Sequence, residues 1–206
     1  MKKMIKAVLF DYGGVISMSQ NPRTVDEMCG LARMPSEPFM INYKKYRNDY
    51  DLNKLSATEY WQKVLNGGNT QFSHETIQNL IRLDVESWTV INKDMLQFII
   101  NLKSKTVKKV IISNMTIETL EYMKKNFSWL ELFDHLVFSC ELKSSKPAGI
   151  IFHRCLELLD LEPQSCVFID DSLENIWSAQ RFGLNTIHFR NYRQFSKEMN
   201  RTYKLI

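Results

Sequence analysis

"VLFDYGGVIS", residues 8–17, decides how this chain is read. An apolar run enters Asp11, and Gly13 and Gly14 follow almost at once. A carboxylate at the end of a buried strand costs free energy unless it is paired, coordinated or used. The run itself, "IKAVLF" (5–10), has four companions: "VKKVIIS" (107–113), "HLVFS" (135–139), "CVFID" (166–170) and "LNTIHF" (184–189). All are rich in Val, Ile and Phe, and none alternates cleanly. That composition predicts strands covered on both faces, as in a parallel sheet.

Helical patterns separate the runs. In "INKDMLQFIINLKSK" (91–105), Ile91, Met95, Phe98, Ile99 and Leu102 form one stripe. "TIETLEYMKKNF" (116–127) follows the second run. "PAGIIFHRCLELLD" (147–160) opens on Pro147, which suits a first helical turn. "SLENIWSAQRFG" (172–183) closes on Gly183 as a C-cap. Strands alternating with helices predict a doubly wound, Rossmann-like parallel α/β sheet.

Residues 16–87 break that rhythm and read as an all-helical insertion between a core of 1–15 and 88–206. Phe39, Tyr43, Tyr46 and Tyr50 share one helical face, which reads as core packing. Ser56 with Glu59 is a capping box, and "NGGN" (66–69) is a turn between helices.

Composition excludes several classes. The chain has 206 residues, 44% of them hydrophobic, and a formal net charge of +4. That suits one globular domain with an insertion. Basic residues gather at "KSKTVKK" (103–109) and thinly near the end (Arg190, Arg193, Lys197, Arg201, Lys204). Both stretches read as solvated faces and lack the density of a nucleic-acid arm. Cys29, Cys140, Cys155 and Cys166 have no metal-ligand spacing and read as reduced thiols. "MKKMIKAVLF" imitates a signal peptide, but its apolar stretch is short and Asp11 ends it. No run nears the roughly 18 apolar residues of a membrane span. The expectation is a cytoplasmic protein, with oligomeric state unspecified.

In an open parallel sheet, ligands bind beyond the carboxyl ends of the strands. The residues that close the runs are Asp11, then Ser113 and Asn114, then Lys146, then Asp170 and Asp171. Taken singly, each has a plain explanation. Asp11 can cap a turn, Asp171 or Ser172 can cap a helix, and Lys146 can be solvated. Together they point to an anion site. Three carboxylates at one edge repel unless a divalent cation joins them, and oxygen ligands suit Mg²⁺. The amides of Tyr12 and Gly13 are expected to face an anion, because glycine admits close approach. Ser113 and Asn114, read as the start of a helix, add N–H groups that favour phosphate.

The chain resembles the haloacid dehalogenase superfamily. "FDYGGVI", "VIISN", "SSKP" and "VFIDDSLENI" occupy its four motifs in order, and the insertion lies where that superfamily carries a helical C1-type cap. The resemblance implies that Asp11 attacks phosphorus to form an aspartyl-phosphate and that Ser113 and the Asn114 amide hold a phosphoryl oxygen. It implies that Lys146 neutralises charge, and that Mg²⁺ is held by Asp11, the Gly13 carbonyl and Asp171. Asp170 would help directly or through water, and Asn175 would support it.

Gly13 departs from the pattern. Phosphatases of the superfamily usually carry a second Asp there as general acid and base, help worth about 10²–10⁴-fold. A leaving group that needs little protonation, such as that of a sugar 1-phosphate, suffers less. A group on the insertion is the other escape, with Arg23, Tyr46 or Arg47 as candidates. This first motif is similar to a subgroup that includes bacterial glucose-1-phosphate phosphatases.

The favoured expectation is a Mg²⁺-dependent phosphatase acting on a small, sugar-like phosphorylated metabolite. A 2-haloacid dehalogenase is opposed by the Asp170–Asp171 pair and by Gly13 and Val15 in the first motif. A non-catalytic phosphate-binding or regulatory protein has Gly13 as its support.

Overall fold

A computed structural model of the chain describes residues 4–65, 72–102 and 107–203. The turn expected at 66–69, the first part of the basic run at 103–109, and Lys204 lie outside them.

The five runs form five strands: β1 (Ala7–Phe10), β2 (Lys108–Ser113), β3 (His135–Phe138), β4 (Cys166–Asp170) and β5 (Asn185–His188). Their order is β3-β2-β1-β4-β5, with every neighbouring pair parallel. The missing alternation has a direct cause: both faces are covered. Val8, Phe10, Ile111, Val167 and Ile169 face one layer, packed on Phe98 and Ile99 of α5 (Lys93–Asn101), Leu120 of α6 (Ile117–Asn126) and Phe195 of α10 (Tyr192–Tyr203). Ala7, Leu9, Val110, Ile112 and Phe168 face the other, packed on Phe152 of α8 (Gly149–Leu159) and Ile176 of α9 (Leu173–Arg181). Each fully buried Leu, Ile or Phe contributes about 1.5–3 kcal/mol.

The segment after β1 is helical: α1 (Pro22–Ala32), α2 (Ser36–Asp51), α3 (Ala57–Leu65) and α4 (His74–Ser87). The capping box at the start of α3 is formed, with Ser56 N–H donating to Glu59 Oε2 at 2.8 Å. Phe39, Tyr43 and Tyr50 are buried in a core shared with Trp61 and Leu80, and Tyr46 is half-buried at its edge. The two chain crossings into and out of these helices lie side by side. Met18 N–H donates to Val90 O (2.7 Å) and Asn92 N–H to Ile16 O (2.9 Å).

Two local expectations are corrected. Pro147 precedes α8 and is not in its first turn; the helix starts at Gly149, and the Pro147 carbonyl is taken by Ser178 Oγ at 2.6 Å. Lys109 belongs to no solvated face: it is buried, and its Nζ donates to Ile99 O at 3.2 Å. All four cysteines are buried free thiols. Gly183 follows α9 with a positive φ of 84°, as its expected capping role requires. No helix among the described residues is long and apolar enough to cross a membrane.

Candidate active site

The carboxyl edge of the sheet gathers what the sequence scatters. Asp11 follows β1 directly, and its N–H donates to Ile169 O of β4 at 2.9 Å. Ser113 ends β2 and Asp170 ends β4. Lys146 comes in from the loop between α7 (Ser139–Leu142) and α8, and is buried. Its Nζ lies 2.8 Å from Asp11 Oδ1 and 2.6 Å from Asp170 Oδ2. Ser113 Oγ donates to the same Asp11 Oδ1 at 2.8 Å. Asp170 is also held by Asn175 Nδ2 (3.1 Å to each oxygen) and by the Ser172 N–H (2.8 Å).

The electrostatics follow from burial. Loss of solvent pushes the Asp11 carboxyl up to about 7; Lys146 pulls it down and Asp170 pushes it up. Burial also opposes the charge of Lys146, but Asp11 and Asp170 outweigh it and hold the ammonium above the ordinary lysine range. Asp171 is raised by burial and by Asp170. One carboxylate oxygen from each of Asp11, Asp170 and Asp171 lies within 4.8 Å of the others. Three acids against one lysine leave excess negative charge, and an all-oxygen donor set fits a hard divalent cation.

Gly14 shows why the second glycine is there. Its φ is +73°, and a Cβ at this position would run into the Asp171 carboxylate. Gly14→Ala is expected to cost about 1–3 kcal/mol and to weaken divalent-cation affinity by displacing Asp171. Urea unfolding and cation titration of the variant check this.

Other details differ from expectation. The Tyr12 amide is not open to an anion, because it donates to Asp11 Oδ1 at 2.7 Å. Its ring is buried, with the hydroxyl on Trp88 O at 2.8 Å. Ser113 and Asn114 do not begin a helix; α6 starts at Ile117 behind its cap Thr116. The Asn114 side chain instead grips the backbone of Lys146, with Nδ2 on its carbonyl and Oδ1 on its N–H, both at 2.8 Å. Asn114 thereby sets where the ammonium is delivered.

A cavity of about 260 Å³ opens over this cluster. Its floor includes Asp11, Gly13, Ser113, Asn114, Lys146 and Asp171. Its far wall brings Tyr43, Arg47 and Asp51 from α2, with Trp88 at the side. Of the three insertion residues singled out, Arg47 reaches this cavity; Arg23 and Tyr46 are not among its lining residues. Tyr43 and Asp51 were not foreseen as lining. Their spacing with Arg47, four residues each way, signals a shared helical face but not its direction. Trp88 packs on Gly13, its ring 3.4 Å from where a Cβ would stand.

A family model, described as haloacid dehalogenase-like hydrolase, matches residues 5–183. The chain belongs to this family of hydrolases. A relative of similar length is the D-ribitol-5-phosphate phosphatase of Bacteroides thetaiotaomicron, 22% identical over 95% of this chain and 97% of that protein. The bifunctional epoxide hydrolase 2 of Mus musculus is 31% identical over 54% of this chain, which spans only 21% of that protein. Among solved structures, a HAD family enzyme from Bacteroides thetaiotaomicron superposes with a TM-score of 0.77 at 21% identity, covering 91% of this chain and 95% of that one. That enzyme has also been solved with magnesium and inorganic phosphate. The likeness to this structure is one of fold. In this hydrolase the four motif ends meet within hydrogen-bond distance of one another around Asp11 and Asp170.

Proposed function

We propose that this hydrolase is a Mg²⁺-dependent phosphatase that cleaves a small phosphorylated metabolite, sugar-like in character, through an aspartyl-phosphate on Asp11. The observation that carries the reading is the asymmetry of the Asp11 carboxylate. Oδ1 takes the Tyr12 N–H, the Ser113 hydroxyl and the Lys146 ammonium. Oδ2 has no hydrogen-bond partner among the described residues. One oxygen is fixed by three donors and the other is open, so the two oxygens can serve different roles, one toward phosphorus and one toward the cation.

Asp11, Asp170, Asp171 and the Gly13 carbonyl would hold Mg²⁺. When bound, the ion neutralises the carboxylates and the phosphoryl oxygens. Ser113 and the Asn114 amide orient the phosphoryl group, and Lys146 offsets charge that grows in the transition state. Water then releases phosphate from Asp11. The helices of residues 16–87 act as a cap of the C1 type over a core of 1–15 and 88–206. A lid of this kind excludes water and bulky polymers. The ribitol phosphate phosphatase among the relatives supports a small polyol or sugar phosphate. The magnesium- and phosphate-bound enzyme of the same fold supports the metal.

Gly13 supplies no proton, and Trp88 fills the space beside it. That supports the second reading, a phosphate-binding protein with weak turnover or none. A panel of phosphorylated metabolites, including sugar 1-phosphates, separates the two when assayed with and without Mg²⁺. Phosphate release that requires Mg²⁺ is the expected result. Tight binding of phosphate mimics with no turnover of any member would favour the second reading. Metal-independent release of halide from 2-haloacids would overturn both. Gly13→Asp is expected to retain Mg²⁺ binding, since the ligand at this position is a main-chain carbonyl; complete loss of the calorimetric signal would oppose that assignment.

A further inference from the structure

Among the described residues, the far wall of the cavity is a charge network in which one arginine faces two carboxylates. Arg47 Nε donates to Asp51 Oδ1 at 2.8 Å. Arg47 Nη1 donates to both oxygens of Asp84, at 3.0 and 2.9 Å, and to the Tyr43 hydroxyl at 2.6 Å. The guanidinium is flanked by the rings of Tyr43 and Tyr50, 5.3 and 5.7 Å from their centroids. Two carboxylates therefore face one guanidinium. The Tyr43 hydroxyl is fully engaged, donating to Asp84 and accepting from Arg47 and Gln20. Among the described residues, Arg47 and Lys146 are the cavity's lysine or arginine side chains, and Lys146 is engaged at the floor.

A wall that received a second anion would need surplus positive charge, because a desolvated like-charge pair costs several kcal/mol. This wall has none. Its open acceptor is Asp51 Oδ2, which makes no hydrogen bond among the described residues while its partner oxygen is pinned by Arg47; Arg47 Nη2 likewise makes none among them and is an open donor. Such an oxygen is an acceptor for a hydroxyl. Asp51 is held in place by the floor as well: its carbonyl accepts from Ser139 Oγ at 2.7 Å, and that same Oγ accepts from the Met115 N–H at 3.0 Å.

We infer that the cavity selects phosphomonoesters whose far end is a neutral, hydroxyl-bearing group, rejects those ending in a carboxylate or second phosphate, and uses Asp51 as the specificity-determining residue. This rests on the phosphatase reading for the position of the phosphoryl group. The volume of about 260 Å³ adds a size limit, since it lies below the 300–1,000 Å³ of sites for drug-sized ligands.

The test compares two ligands of nearly equal size, glycerol 3-phosphate and 3-phosphoglycerate, by calorimetry with Mg²⁺ on the Asp11→Asn variant. The expected result is tighter binding of glycerol 3-phosphate, by about tenfold or more. Adding Asp51→Asn to that variant should shrink the ratio to about threefold or less, mainly by improving 3-phosphoglycerate. Equal or tighter binding of 3-phosphoglycerate before Asp51 is changed would overturn the inference, as would an unchanged ratio after it, or no binding of either ligand. The parent chain is assayed for hydrolysis of the same pair. A binding preference without hydrolysis would sink the phosphatase reading and leave the selectivity standing.

Discussion

Asp11→Asn should lower turnover by about 10⁴–10⁶-fold while the protein stays folded. The amide is isosteric with the carboxylate, so its oxygen still accepts from Ser113 and from the Tyr12 N–H. Lys146 keeps its 2.6 Å contact with Asp170. Burial already disfavours the ionised form of Asp11, so loss of the charge is partly offset by relief of desolvation. The net change in unfolding free energy is expected to be within about 1 kcal/mol. What disappears is the nucleophile, because an amide cannot form the acyl-phosphate. Steady-state kinetics beside a urea melt separates the two effects. Activity near the parent level in a folded variant would remove Asp11 from the chemistry.

Lys146→Met should be the most destabilising single change at the site. Methionine keeps much of the length of the aliphatic stem, which crosses the Phe168 ring with Nζ 5.5 Å from its centroid. The ammonium is lost, and Asp11, Asp170 and Asp171 are left with no cation among them. Removing one partner of a buried ion pair typically costs about 3–5 kcal/mol, since the remaining charge stays buried. A divalent cation should return part of that. Bound only to the folded state, it contributes about 2.7 kcal/mol at a concentration of 100 times its dissociation constant. Urea melts with Mg²⁺ and with chelator should therefore differ more for the variant than for the parent. A variant as stable as the parent in chelator would mean the three carboxylates are not packed as described. Activity should fall as well, because the ammonium is the one lysine or arginine charge among the described floor residues that offsets charge on the transferring group.

Much of this site was legible because strand ends are a local signal. An apolar run that stops at Asp11, Ser113 or Asp170 states both the strand and the residue at its exposed end. Parallel pairing then brings those ends together without further information. The glycines were half legible. A close backbone approach at Gly13 and Gly14 could be expected, but the identity of the group that excludes a Cβ at Gly14, the Asp171 carboxylate, is a contact across the sheet. The Asn114 clamp on Lys146 spans 32 residues and has no periodic signature. Lys109 is buried because strand β2 carries it under Ile99, whatever its charge suggests. The face of α2 that carries Tyr43, Arg47 and Asp51 was visible as spacing. Only its docking on the core, through Ser139 and Asp51 O, says that it looks at the floor.

The central claim is that one oxygen of Asp11 attacks phosphorus. Its most direct test is acid-quench trapping during turnover of a hydrolysed phosphomonoester with Mg²⁺, followed by peptide mass spectrometry. The account predicts a hydroxylamine-sensitive phosphoryl group on the peptide that contains Asp11, absent in Asp11→Asn and absent with chelator. Sustained hydrolysis with no adduct on that peptide, or with the adduct on another residue, would contradict it.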